Sequence, residues 1–219
     1  ASGGLGVHIA HALAASGANL ALTACPGTGL EELAQEVRKS GVRAEWRVAD
    51  ISTESGCEEL VAWCEEALGA VDVLINNAGI ERTAYYHQLG WKDIDDELNV
   101  NLRAPMLLTN RLIGGMVARG RGHIVNMSSL AGRAGPACQE PYAATKAALV
   151  GFTYSLRASY RAKGVSASAI CPGFVRAGIY ARLEERTGLH APSLLAATSP
   201  ERVARAVVCV IKHDKAEAI

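Results

Sequence analysis

Tyr142 and Lys146 stand four residues apart in the stretch Tyr142-Ala143-Ala144-Thr145-Lys146. Residues 142–163 carry apolar side chains at helical spacing, with no proline and no glycine before Gly151, which predicts a helix. Four residues along a helix rise about 6 Å and return to one face, so a phenol and an ammonium are expected side by side. A phenol that titrates at about 10 exchanges protons poorly at neutral pH. A fixed cation beside it favours the phenolate, lowers that pKa and makes Tyr142 a usable general acid and base. Helices also carry such pairs by accident, so the elements that hold this one must decide.

Those elements alternate. Ala1-Ser2-Gly3-Gly4-Leu5-Gly6 leads into small and apolar residues over 7–15 that predict a helix ending near Gly17. Glycines at a helix start let the backbone approach an anion, and the unpaired N–H groups and positive dipole end there favour a phosphate. A strand follows at 19–24, a turn at 25–29, a helix at 30–40 and a strand at 42–49 that closes on Asp50 and Ile51. The next helix, 55–68, precedes a strand at 71–75 that runs into Asn76-Asn77-Ala78-Gly79. A long helical segment, 91–118, is interrupted by Pro105 and by Gly114-Gly115. The strand 123–127 ends at Ser128 and Ser129, and the helix of Tyr142 comes after a turn at 132–135. A strand at 165–171 stops at Pro172-Gly173, and Pro200 opens a last helix, 201–212. This order predicts an α/β fold with a doubly wound parallel sheet and helices on both faces. Ligands of such sheets bind outside the carboxyl ends of the strands, where Asp50, Asn76, Ser129 and Pro172 fall.

Composition narrows the ligand. Apolar residues make up 49% of the 219, enough to bury one core, and a single unit over 1–219 is expected. Lys+Arg and Asp+Glu are both 22 without a run of like charge, so neither nucleic acid nor an anionic membrane is implied, and a small ligand of low or mixed polarity is expected. The six cysteines form no CxxC pair and no metal-type spacing with the six histidines, which suits reduced thiols in a cytoplasmic protein and predicts no metal site. No apolar run is long enough to span a bilayer.

Together these motifs resemble the classical short-chain dehydrogenase/reductase family, which has a Rossmann-type fold. The resemblance rests on Ala1-Ser2-Gly3-Gly4-Leu5-Gly6 as the remainder of a Thr-Gly-x-x-x-Gly-x-Gly loop, on Asn76-Asn77-Ala78-Gly79, Asn101, Ser129, Tyr142-x-x-x-Lys146 and Pro172-Gly173. It implies an NAD(P)-dependent oxidoreductase that interconverts a ketone or aldehyde and an alcohol by hydride transfer. Tyr142 would exchange the proton with the substrate oxygen, Lys146 would lower the Tyr142 pKa and hold the nicotinamide ribose, and Ser129 would bind the substrate oxygen. For Ser128 a strand-end cap is expected instead. Ser2, Gly3, Gly4, Leu5 and Gly6 would hold the pyrophosphate, Asp50 and Ile51 the adenine, and Asn77, Ala78, Gly79, Pro172, Gly173 and Val175 would flank the cofactor. A turn-forming role is the rival reading of Asp50. The resemblance also gives Asn101 a water that leads to Lys146. Pro105 has no N–H to offer the carbonyl four residues back, which is that of Asn101, so that oxygen is expected to be open if this stretch is helical.

Several positions depart from the family pattern. The strand and Thr-Gly expected before Ala1 are missing, so two strand edges in the middle of the sheet would be exposed and the bare 219-residue chain is expected to be poorly soluble or unfolded. Ala24 and Cys25 occupy the place where an acid selects NAD and an arginine accommodates NADP; nothing there repels a phosphate, and the balance leans slightly to NADP. Ala177 stands where family members often have a threonine that touches the carboxamide. Residues 174–198 would form a lid with an apolar wall of Ile179, Tyr180, Leu183, Leu189, Leu194 and Leu195. Family members pair through the two long helices, here 91–118 and 141–163, which implies a homodimer or homotetramer. The competing class is a nucleotide-binding regulatory or scaffold protein that keeps the fold without turnover. The set Asn101, Ser129, Tyr142 and Lys146 argues against it, because a pure binder needs no serine and tyrosine together.

Overall fold

The computed structural model describes residues 1–26, 29–175 and 197–219. Along the chain lie α1 (Leu5–Ala14), β1 (Leu20–Ala24), α2 (Leu30–Arg38), β2 (Ala44–Val48), α3 (Glu54–Leu68), β3 (Val73–Asn76), α4 (Trp91–Leu98), α5 (Ala104–Arg119), β4 (Gly122–Met127), α6 (Ala131–Ala134), α7 (Glu140–Tyr160), β5 (Val165–Ile170), α8 (Pro200–His213) and β6 (Glu217–Ala218). Local chemistry sets several boundaries. The Thr53 hydroxyl accepts the Gly56 N–H at the start of α3, and Ser199 caps α8 through the Arg202 N–H, with Pro200 in the first turn.

All strand pairs are parallel, but the ladder is in two pieces: β1 with β2, and β3-β4-β5-β6 in that order. Among the described residues β1 pairs only with β2, and β3 has no partner besides β4. These are the two edges expected from the sequence. Alternation along β4 fixes the two faces of the larger piece. Ile124 joins Leu60, Leu108, Leu112 and Met116 beneath α3 and α5. Val125 and Met127 join Ile9, Val203, Val207 and Val210 beneath α1 and α8. The smaller piece is covered by α1 and α2 through Ala10, Ala14, Leu30, Leu33 and Val37. Helix α1 therefore spans both pieces, Ile9 to one side and Ala10 to the other.

The segment 91–118 differs from expectation in its breaks. It is divided by a π-helical turn, Asn99–Arg103, in which the Ala104 N–H reaches back to the Asn99 carbonyl. Pro105 lies in the first turn of α5, where a missing N–H costs little, and Gly114 and Gly115 sit inside an unbroken α5. The turn expected at 132–135 is a short helix, α6, closed by Gly135 at φ 60°. Of the predicted lid, residues 176–196 lie outside the described residues, and with them Ala177 and the six apolar wall residues.

Candidate active site

The carboxyl end of β4 and the first turns of α7 are fastened together by polar bonds. The Ser128 hydroxyl, buried, donates to the Lys146 carbonyl at 2.7 Å, so it links strand to helix instead of capping its own strand. Lys146 Nζ returns to the same strand end, donating to the Met127 carbonyl at 2.8 Å. Gly132 makes the approach of α6 to α7 possible: a Cβ there would lie 2.6 Å from the Lys146 carbonyl carbon and the Ala147 nitrogen. Ser129 Oγ accepts the Ala131 N–H at 3.1 Å and lies close enough to the Tyr142 phenol to favour its ionised form. Ser129, Tyr142 and Lys146, thirteen and four residues apart as 142 − 129 and 146 − 142, thus meet at one strand end.

The electrostatics correct one expectation. Lys146 Nζ lies 5.5 Å from the Tyr142 ring centroid, yet the tyrosine is not made more acidic. Burial pushes the phenol up to about 12, the neighbouring Ser129 hydroxyl pulls it down, and the charges of Glu81 and Glu97 push it up further. Lys146 is itself buried, which pulls its pKa down to about 8. Spacing alone places the cation beside the phenol; the desolvation of the phenol follows only from the packing.

Asn101 is fully buried in the π turn, and its side chain has a function that sequence reasoning missed. Its Oδ1 accepts the Ile80 N–H and its Nδ2 donates to the Ile80 carbonyl, both at 2.8 Å. The amide so holds the segment after β3 against α7, with a further contact of 3.4 Å from Nδ2 to Thr145 Oγ1. A Cβ on Gly79 would stand 3.4 Å from both Asn101 Oδ1 and Lys146 Nζ, so Asn101, Gly79 and Lys146 share one small space. Behind them a buried chain runs from Asn76 Nδ2 to Asn126 Oδ1 at 2.8 Å, and from Asn126 Nδ2 to Thr153 Oγ1 at 2.9 Å. Asn126 is a polar residue between Val125 and Met127, and that contrast was the available signal. Glu97, 1% exposed, is the other residue missed.

The glycine-rich start fits a phosphate-bearing ligand. Gly6 packs so closely that a Cβ would stand 2.0 Å from the Ala1 carbonyl oxygen, whereas nothing lies within 4 Å of one on Gly3, which leaves that side of the loop open. Gly4 has φ 43° and caps α1 without a side-chain hydrogen bond, and the buried Ser2 Oγ has no partner. Donors without acceptors at the start of a ten-residue helix suit an anion. At the neighbouring strand ends, Ala24 is partly buried and Cys25 exposed, Asp50 is exposed, and Ile51 packs against the α3 cluster. Asp50 Oδ1 accepts the Ser52 N–H at 2.9 Å, the geometry of a turn former. The Pro172 carbonyl accepts the Leu130 N–H at 3.0 Å, which brings Pro172 and Gly173 beside Ser129. The Val175 side chain is buried in the core with Ile9 and Val203, so any contact of that residue with a cofactor would come from its backbone. Asn77 and Ala78 continue from β3 between Asn76 and Gly79, with the Asn77 N–H on the Ile75 carbonyl at 3.1 Å.

A parallel α/β sheet with a phosphate-type loop and a Ser-Tyr-Lys cluster at the strand ends defines a nicotinamide-type oxidoreductase architecture. The family model for short chain dehydrogenases matches residues 1–188, and the chain belongs to that family. A ketoacyl reductase of Nostoc sp. is 37% identical over 219 residues, covering 100% of this chain and 75% of the relative. An acetoacetyl-CoA reductase of Rhizobium meliloti is 36% identical over 220 residues, 97% of this chain and 88% of the relative. Among solved structures, a short-chain dehydrogenase from Sphingobium yanoikuyae in complex with NADPH superposes with a TM-score of 0.89 at 26% identity, covering 100% of this chain and 84% of its own. A metagenomic short-chain oxidoreductase in complex with NADP gives 0.85 at 30% identity, covering 100% and 92%. The expected fold class and reaction class are both met: the chain is an NAD(P)-dependent oxidoreductase acting between CH–OH and C=O.

Proposed function

We propose that the chain is an NADPH-linked reductase of a 3-ketoacyl thioester, with Tyr142 as the proton donor. The observation that carries this reading is the meeting of Ser129, Tyr142 and Lys146 at the carboxyl end of β4, with Lys146 Nζ 5.5 Å from the Tyr142 ring centroid and bonded to the Met127 carbonyl. A protonated phenol held there can neutralise an alkoxide forming on a carbonyl carbon, and the reductive direction is supported by the reductases among the curated relatives. Ser129 orients the substrate oxygen against the phenol, and Lys146 and Asn101 hold the tyrosine's helix and the Gly79 segment in register. Ser2, Gly3, Gly4, Leu5 and Gly6 would hold the cofactor pyrophosphate, and the bound reduced nicotinamide supplies the hydride. The preference for NADPH is supported by Ala24 and Cys25, which present no carboxylate where a 2′-phosphate would lie, and by the cofactors of the two solved relatives. The acyl class is supported by the ketoacyl and acetoacetyl-CoA reductases among the curated relatives.

The whole of 1–219 then forms one dinucleotide-binding and catalytic unit in the cytoplasm. No described helix is long and apolar enough to cross a membrane. A homodimer or homotetramer is supported by an apolar groove of about 440 Å³ between α5 and α7, lined by Met106, Leu107, Ile113, Phe152 and Leu156. The test is NADPH consumption by the intact protein with acetoacetyl-CoA, simple ketones and aldehydes, and the 3-hydroxyacyl thioester in the reverse direction. Faster turnover of the ketoacyl thioester than of any simple ketone is expected; equal rates would reject the acyl assignment. Light scattering on the same sample reads the oligomer.

A further inference from the structure

Glu97 is a buried carboxylate that the reaction outlined above does not use. It lies in the last turn of α4, four residues before Asn101, so the two side chains leave the helical segment on one side. Its Oε1 accepts the Arg82 N–H at 2.5 Å, while Asn101 brackets Ile80 through both its N–H and its carbonyl. The two residues together fix the backbone on either side of Glu81. The far end of this strip is tied to the turn ahead of α7: the Ala84 N–H donates to the Cys138 carbonyl at 3.1 Å, and Gln139 Nε2 donates to Thr83 Oγ1 at 3.2 Å. The other oxygen of Glu97, Oε2, is buried and has no partner. A carboxyl needed only to hold one N–H would be replaced by an amide or a hydroxyl without the cost of burying a charge.

We propose that Glu97 is a positioning residue for proton transfer at Tyr142, clamping the strip from Ile80 to Arg82 and holding a buried carboxyl within electrostatic reach of the Tyr142–Lys146 pair. The proposal rests on the reductase reading. The charged groups that face Glu97 are Glu81, Arg82 and Asp93, and Arg82 is itself engaged by Asp93 at 3.4 Å. Burial raises Glu97 to about 7, and its charge in turn raises the proton affinity of both Tyr142 and Lys146. As pH climbs through 7 the carboxyl ionises and tightens the hold of Tyr142 on its proton, so the donor stays loaded into the alkaline range.

The experiment compares the pH dependence of ketoacyl reduction in the intact parent, Glu97→Gln and Glu97→Asp. The glutamine keeps an oxygen for the Arg82 N–H and loses the charge. Its alkaline limb in kcat/KM should fall by about half a pH unit or more, with NADPH affinity within about twofold of the parent, and the aspartate should restore the limb. Coincident limbs for parent and glutamine variant overturn the proposal. Glu97→Met serves as the neutral variant should the glutamine form fail to fold. The phenolate absorbance of Tyr142, taken as a difference against Tyr142→Phe just after an alkaline jump, reads the same shift without turnover. An inactive parent would therefore count against the reductase reading alone, and an unshifted phenol titration against Glu97.

Discussion

The half of the molecule around α7 and the half around β1 are built on different terms. Around α7, buried side chains bond one another and the backbone: Asn76 to Asn126 to Thr153, Ser128 to the Lys146 carbonyl, Lys146 to Met127, Asn101 to Ile80. Around β1, apolar residues of α1 and α2 cover a two-stranded ladder, and the buried hydroxyls of Ser2 and Thr23 have no partner. The loop lies along the free edge of that ladder, since the Ala1 amino group donates to the Thr23 carbonyl. Proton transfer requires atoms fixed to a fraction of an ångström, and linked side-chain bonds supply that, although Asn76 Oδ1 and Glu97 Oε2 within this half also have no partner. A site for a large anionic ligand needs the reverse, donors left open until the ligand arrives.

The sharpest break in the comparison is Tyr142→Phe. It removes the proposed proton donor and leaves every bond of the network above in place, so kcat should fall by about a hundredfold to ten-thousandfold while NADPH affinity stays within about twofold. Isothermal titration beside steady-state rates checks both halves of that statement. A parallel loss of cofactor binding would mean that the two halves are not separable.

Next in size are two glycine-to-alanine changes, each with a clash against backbone. Gly132→Ala would place a Cβ 2.6 Å from the backbone at Lys146, and Gly6→Ala one 2.0 Å from the Ala1 carbonyl. Each should destabilise the fold by about 1–3 kcal/mol in thermal melts. They should differ in kinetics: Gly132→Ala moves α6, and with it Ser129, relative to Tyr142 and lowers kcat, whereas Gly6→Ala distorts the open loop and raises the NADPH dissociation constant. An exchange of these two signatures would reverse the assignment of the halves.

Legibility in the sequence followed the same division by physics. Tyr142 and Lys146 could be paired because helical spacing puts them on one face, Ser129 was joined to them by the family resemblance, and the alternating elements fixed the parallel sheet. Glu97 could not be read, since it sits in Trp91-Lys92-Asp93-Ile94-Asp95-Asp96-Glu97-Leu98, whose acids look like a solvated face; burial of one of them depends on the partner element. Gly132 resembled an ordinary turn glycine because its constraint is the backbone of α7, distant in sequence. The π turn at Asn99–Arg103 escaped for a related reason: Pro105 signals a break, and not which hydrogen-bond register the chain adopts there. The direction of the Tyr142 shift failed because desolvation is a property of the packed protein and outweighs a cation that spacing alone can place.

Lys146 supplies the smallest and most specific test of how much the tight half costs the fold. The buried ammonium titrates at about 8 in place of 10.5, so between those values the folded chain holds fewer protons on Lys146 than the unfolded chain does. Stability therefore rises with pH across that window, and the penalty is full below pH 8. Lys146→Met removes the penalty and the hydrogen bond to Met127 together. The net gain should be on the order of 2 kcal/mol at neutral pH, falling through zero to a net loss of about 1 kcal/mol, the worth of the hydrogen bond, as the pH passes 10.5, in a variant expected to lack reductase activity. Denaturant midpoints of parent and variant across this range test it, and a gain that does not shrink with pH would show that the lysine's burial is not what the site holds in reserve.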